Sequence, residues 1–215
     1  MKSTRLEAFS DGVLAIVITV MVLELKPPEA NGIADLFHTS GLGLLTYVLS
    51  FVYIGIYWNN HHHLFQLRPR VDGTVLWANL HLLFWLSLLP FTTSWLDDSR
   101  ISRDPTIVYG LNLLAAALAY YLLQRVIMRG PEGRKVSEAL GRDLKGRVSP
   151  FIYLAGIGLS FIVPWLGLVP YVAAAIVWLV PDRRVERYLR EHERAGDDEE
   201  GVTPPRRAPP GSRSA

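Results

Sequence analysis

The 215-residue chain contains no cysteine, which excludes disulfides, thiolate metal sites and cysteine nucleophiles. Its formal net charge is only +2, so bulk charge argues against a nucleic-acid partner. No array of spaced arginines lies within an apolar run, so there is no sign of a voltage sensor. No stretch between the apolar runs is large enough to fold into a nucleotide-binding domain, and no internal repeat stands out. The first apolar run, Ala8–Leu25, lacks a small-x-small cleavage site. It carries Ser10 and Asp11 and exits through Leu23-Glu24-Leu25-Lys26-Pro27-Pro28, so a retained helix is expected rather than a signal peptide.

What the chain has is segregation. Hydrophobic residues make up 50% and charged residues 20%, and the two are not interleaved at helical or strand spacing as in a soluble domain. Apolar runs alternate with short charged stretches. A membrane span needs about 20 mostly apolar residues. Residues 8–25, 42–64, 74–96 and 106–128 meet this. The run 148–180 is too long for one span at about 1.5 Å per residue, and Pro164, Gly167 and Pro170 interrupt it.

Positive charge resolves that ambiguity, because cytoplasmic loops carry the Lys/Arg excess. Arg129, Arg134, Lys135, Arg142, Lys145 and Arg147 precede the run, and Arg183, Arg184, Arg187 and Arg190 follow it. Both flanks belong on one side, which only a hairpin allows. The N-terminus has Lys2 and Arg5, the loop 26–41 only Lys26, and the next loop Arg68 and Arg70. The loop 97–105 is a mild conflict, with Arg100 and Arg103 offset by acids. The expectation is an all-α polytopic membrane protein: six transmembrane helices (8–25, 42–64, 74–96, 106–128, 148–164, 166–181) within 1–181, and both termini cytoplasmic. Residues 182–215 read as a charged cytoplasmic tail, largely disordered by composition.

Polar groups are costly in lipid, so their placement is informative. Ser10 and Asp11 start the first helix; Asn59, Asn60, His61, His62 and His63 end the second; Asn79 and His81 start the third. In the derived topology all three groups lie toward the cytoplasmic face. One polar cluster is expected, tying the three helices together, with Asp11 accepting from His or Asn partners. Most buried polar groups are simply hydrogen-bonded, so a structural role comes first. A metal site from His61, His81 and Asp11 is the alternative; consecutive histidines point about 100° apart and no i,i+4 His pair exists.

Along the first helix, Phe9, Ile16, Thr19, Val20 and Leu23 recur at three-, four- and seven-residue spacings and share a face. Asp11 points about 140° away from Ile16. From periodicity alone, such a stripe is lipid contact or packing.

The residues become specific when taken together. Arg5-x-x-x-Phe9-Ser10-Asp11 at the head of an apolar helix resembles the signature of the transmembrane protein 175 family, potassium channels of endosomes and lysosomes with prokaryotic relatives. Trp58-Asn59-Asn60-His61-His62 resembles the family's aromatic-Asn-His segment, and Asn79 followed by Pro90-Phe91-Thr92 resembles its third helix. The similarity is concentrated in residues 5 to about 95. The resemblance implies a single-repeat prokaryotic member, a homotetramer in the plasma membrane whose pore is lined by the first helix of each subunit. It implies permeant K+, no cofactor, no enzymatic activity and no Gly-Tyr-Gly selectivity loop, and none is present. The family's hydrophobic constriction falls at Ile16, with further pore-facing positions at Thr19 or Val20 and at Leu23. Ser10, Asp11, His61 and Asn79 are implied to hold the pore helix rather than touch the ion.

A ring of Ile16 side chains would form a dry neck that a small change in radius could wet, and Thr19 hydroxyls could offer oxygens just beyond it. Two other classes stay open at this point. A proton-coupled secondary transporter would use Asp11 and the histidines as a relay. A membrane redox or metal protein would use His61, His62 or His81 as ligands.

Overall fold

A computed structural model describes residues 3–28, 32–66, 71–129 and 144–179. Within them the fold is all-helical. α1 spans Ser3–Leu23, α2 Ile33–Gln66, α3 Gly73–Ser87, α4 Leu89–Asp98, α5 Arg103–Ile127, α6 Leu144–Ser160 and α7 Pro164–Leu179. The basic residues Lys2, Arg68, Arg70, Arg134, Lys135, Arg142, Arg183, Arg184, Arg187 and Arg190, and the expected tail 182–215, lie outside the described residues.

Among the described residues, four stretches are long and apolar enough to cross a bilayer: Ser3–Leu23, Ile33–Gln66, Gly73–Asp98 and Arg103–Ile127. Val148–Ser160 and Pro164–Leu179 are shorter apolar helices. The third stretch joins α3 and α4 through one residue, Leu88. Pro90 has no N–H to give to the carbonyl four residues back, so the ladder tightens locally and Leu88 N–H turns to Trp85 O at 3.3 Å. Asp72 starts this helix by accepting from Val75 N–H at 3.0 Å.

Two helices start well before the apolar runs they contain. α1 begins at Ser3 and α2 at Ile33, five and nine residues before the apolar runs begin. Hydropathy marks immersion in lipid, whereas a helix continues as long as its backbone bonds and packing hold. At about 1.5 Å per residue the 34 residues of α2 exceed a bilayer core of about 30 Å.

α1 packs on α2, α3 and α4; α5 lies against α3, α4 and α6; and α6 pairs with α7. A rung of hydroxyls crosses the centre: Ser50 Oγ lies 2.7 Å from Thr93 Oγ1 and 3.0 Å from Tyr109 OH, tying α2, α4 and α5. Tyr53 OH donates to Tyr171 O at 2.6 Å, reaching from α2 to α7. The α6–α7 connection turns at Phe161–Val163, and Pro164 opens α7 at a position that tolerates a missing N–H. Close approach in this hairpin rests on glycine. A Cβ on Gly156 would lie 2.9 Å from Gly167 O and would also run into the Tyr171 ring.

Candidate functional site

The buried face of α1 is Leu6, Ser10, Leu14, Val17 and Met21, at four- and three-residue steps that keep one side toward the bundle. Ser10 is 0% exposed on that face, and a hydroxyl there needs partners. Its hydrogen goes to Leu6 O at 2.8 Å. Its oxygen accepts from Asn79 Nδ2 of α3 at 3.0 Å. Asn79 Oδ1 in turn lies 2.7 Å from His61 Nε2 of α2. An amide oxygen only accepts, so this contact fixes the proton of His61 on Nε2. Asn79 is 0% and His61 2% exposed, so three side chains from three helices form one closed, dry chain of bonds.

Other residues expected in this cluster, Asp11 and His81 first among them, stand outside it. Asp11 is exposed and accepts from Trp58 Nε1 at 2.9 Å, not from a histidine or asparagine. The reason is rotational: Asp11 follows Ser10 by about 100°, so both cannot face the bundle. His81 lies about 200° around from Asn79. It is exposed and accepts from Trp85 Nε1 at 3.0 Å. His61, His81 and Asp11 therefore have three separate sets of partners, and no group of three His, Asp or Glu among the described residues is placed to hold a metal ion. Asn59 is half-buried and about 200° from His61, outside the chain of bonds, and Arg5 is exposed. His62, which the sequence groups with His61, instead stacks on Trp58 with ring centroids 6.3 Å apart and sits 3.9 Å from Glu7.

The opposite side of α1 is open. Ile16 is 63% and Leu23 81% exposed, Phe9, Thr19 and Val20 are exposed with them, and the Thr19 hydroxyl donates to Ile16 O at 2.9 Å. That bond uses the hydroxyl hydrogen and leaves the oxygen lone pairs available. Ile16 and Val20, with Val13 and Val17, form one wall of an open groove of about 740 Å³; Phe91 and Trp95 of α4 form the other. Glu24, Ser94 and Asp98 close its far end. Glu24 is four residues beyond Val20 and eight beyond Ile16, so the apolar stripe ends on a carboxylate.

This end of α1 carries contacts that sequence reasoning missed. Glu24 Oε2 accepts from Ser94 Oγ at 3.1 Å. Lys26 Nζ meets Asp98 Oδ1 at 2.6 Å, and Lys26 O accepts from Ser40 Oγ. Hydrogen bonding and attraction by Asp98 hold the Lys26 ammonium above its ordinary pKa of 10.5. The Glu24–Ser94 and Lys26–Asp98 pairs lie about 70 residues apart in sequence, so no periodicity could have found them.

Residues 5–90 match the family model described as Endosomal/lysosomal potassium channel TMEM175. A protein of Chryseobacterium sp. (strain P1-3) named as a potassium channel is 49% identical over 193 residues, covering 89% of this chain and 100% of the relative. Another of that description, from Chamaesiphon minutus, is 33% identical over 76% of this chain and 87% of its own length. The human endosomal/lysosomal proton channel TMEM175 is 29% identical over 96 residues, and this chain spans 19% of its length. The crystal structure of a lysosomal potassium-selective channel TMEM175 homologue from Chamaesiphon minutus superposes with a TM-score of 0.65 at 32% identity, over 81% of this chain and 95% of that one. The family model, the bacterial relatives matched over 87% and 100% of their length and the shared helical fold agree: the chain is a member of the TMEM175 family, a family of channels rather than enzymes.

Proposed function

We propose that this chain forms a potassium-conducting cation channel in a prokaryotic plasma membrane, as a homotetramer whose pore is lined by α1 of each subunit. Its likeness, over 89% and 76% of its length, to relatives named as potassium channels supports this reading. In it the chain crosses the membrane six times, with α3 and α4 as one span and α6–α7 as a hairpin, and both termini are cytoplasmic. The contacts run consistently with that alternation. Ser10, His61 and Asn79 meet at one end of the bundle, and Glu24, Lys26, Ser94 and Asp98 meet at the other.

The observation that carries the pore reading is the asymmetry of α1. Its bundle face is fully packed, while Ile16, Thr19, Val20 and Leu23 stand exposed together and run out to Glu24. Four Ile16 side chains facing one axis make a narrow apolar neck that excludes water until it widens. Thr19, its hydrogen tied to Ile16 O, offers an oxygen to a partly dehydrated cation beyond the neck. Glu24 raises local cation concentration at the outer mouth. Ser10, Asn79 and His61 fix the rotation of α1 so that this stripe faces the axis, and they touch no ion.

The test is flux. Proteoliposomes loaded with K+ and diluted into impermeant cation, with a proton ionophore and a pH dye, should show proton uptake driven by K+ efflux. Flux equal to that of empty liposomes would reject the proposal.

A further inference from the structure

α1 is fixed at its two ends by chemistry of different kinds. At the inner end the Ser10–Asn79–His61 chain is dry and closed on itself. At the outer end the ion pair is solvent-exposed, with the Lys26 and Asp98 side chains 68% and 47% exposed, beside a part-buried bond from Ser40 to Lys26 O. Between the ends, the side of α1 that carries Ile16 and Val20 faces the groove of about 740 Å³ against α4. Only Glu24 and Leu25 separate Lys26 from the end of α1 at Leu23, so a force on the Lys26 side chain reaches that helix end over a short link.

We infer that the Lys26–Asp98 pair is a releasable outer clamp on α1, which sets how readily the Ile16 neck widens. The inference rests on the reading of α1 as the pore helix. An exposed ion pair is weak and easily broken, so it biases an equilibrium instead of locking it. The pair has a signature that separates a clamp from a surface charge. Neutralising Lys26 and neutralising Asp98 change the local charge in opposite senses, so an effect of charge on permeant cations would move the current in opposite directions. Both substitutions break the same clamp, so a clamp moves the current in one direction.

The experiment records K+ current from purified channels in planar bilayers for wild type, Lys26→Gln, Asp98→Asn, the double variant, and the exchanged pair Lys26→Asp with Asp98→Lys. The expected result is a same-direction change in open probability of about two- to fivefold for each single variant, the range that an exposed pair's energy allows. The double variant goes no further, and the exchanged pair returns toward wild type. Opposite directions, additive effects or no change overturns the clamp. Because the chain has no native cysteine, Lys26→Cys with Asp98→Cys gives a second reading on assembled protein. Bridging the two thiols with a short, cleavable bifunctional reagent should restore wild-type open probability, and reduction should remove it; current indifferent to bridging overturns the clamp. A silent wild type overturns the channel reading itself, whereas a conducting wild type with indifferent variants overturns the clamp alone.

Discussion

His61 Nε2 lies 2.7 Å from Asn79 Oδ1, and the other half of the same amide reaches Ser10 of α1, so one side chain joins three helices. Asn79→Leu keeps the volume close but strands the His61 N–H in a dry site. The expected cost is about 1–3 kcal/mol. Thermal denaturation followed by size-exclusion fluorescence should show a lower midpoint and less assembled protein. An unshifted midpoint would mean that the bond chain does not hold α1.

Asp11 has a smaller part in stability than its place beside Ser10 suggests. Its carboxylate meets Trp58 Nε1 at 2.9 Å in an exposed setting. Asp11→Ala should cost about 0.5–1.5 kcal/mol, less than Asn79→Leu. Trp58→Phe should cost less when made on the Asp11→Ala background than alone. Additive losses in the same denaturation assay would show that the pair does not interact.

Much of the site is legible in the sequence, and the reason is cost. Ser10, His61 and Asn79 interrupt apolar helices, where an unpaired polar group is expensive, so they must meet. What the sequence does not order is rotation. Asp11 and His81 sit one and two residues from true members of the cluster, yet about 100° and 200° of helical turn send them to other partners. The early start of α2 at Ile33 is missed because Asp35, His38 and Thr39 read as loop residues although the backbone continues its ladder. Contacts such as Lys26–Asp98 depend on how whole helices stack, which no local spacing encodes.

The α6–α7 hairpin should be intolerant of side chains where its backbones touch. Gly156→Ala places a Cβ 2.9 Å from Gly167 O and against the Tyr171 ring, while Gly158→Ala enters open space. The first should destabilise by about 1–3 kcal/mol. The second should be neutral or stabilise by about 0.5–1 kcal/mol, since alanine suits a helix better than glycine. Equal midpoints for the two variants would contradict the hairpin packing.

The Lys26–Asp98 tie should survive neutral and mildly alkaline baths. The folded pKa of Lys26 lies above its ordinary 10.5. Its contribution is therefore fully present below 10.5 and is lost as pH rises through the raised value. Raising the outer bath from neutrality to a pH still below 10.5 should leave the difference in open probability between wild type and Lys26→Gln unchanged. A difference that vanishes within that range would show that the lysine titrates early and is not held by Asp98.

The central claim is that α1 lines a cation pore with its neck at Ile16, and a bi-ionic bilayer recording tests it most directly. With K+ on one side and Na+ on the other, the wild-type current should reverse at a potential displaced toward K+, and Ile16→Asn should raise the current by wetting the neck. Saturable flux that follows a proton gradient, or Ile16→Asn and Ile16→Ala channels indistinguishable from wild type, would contradict it.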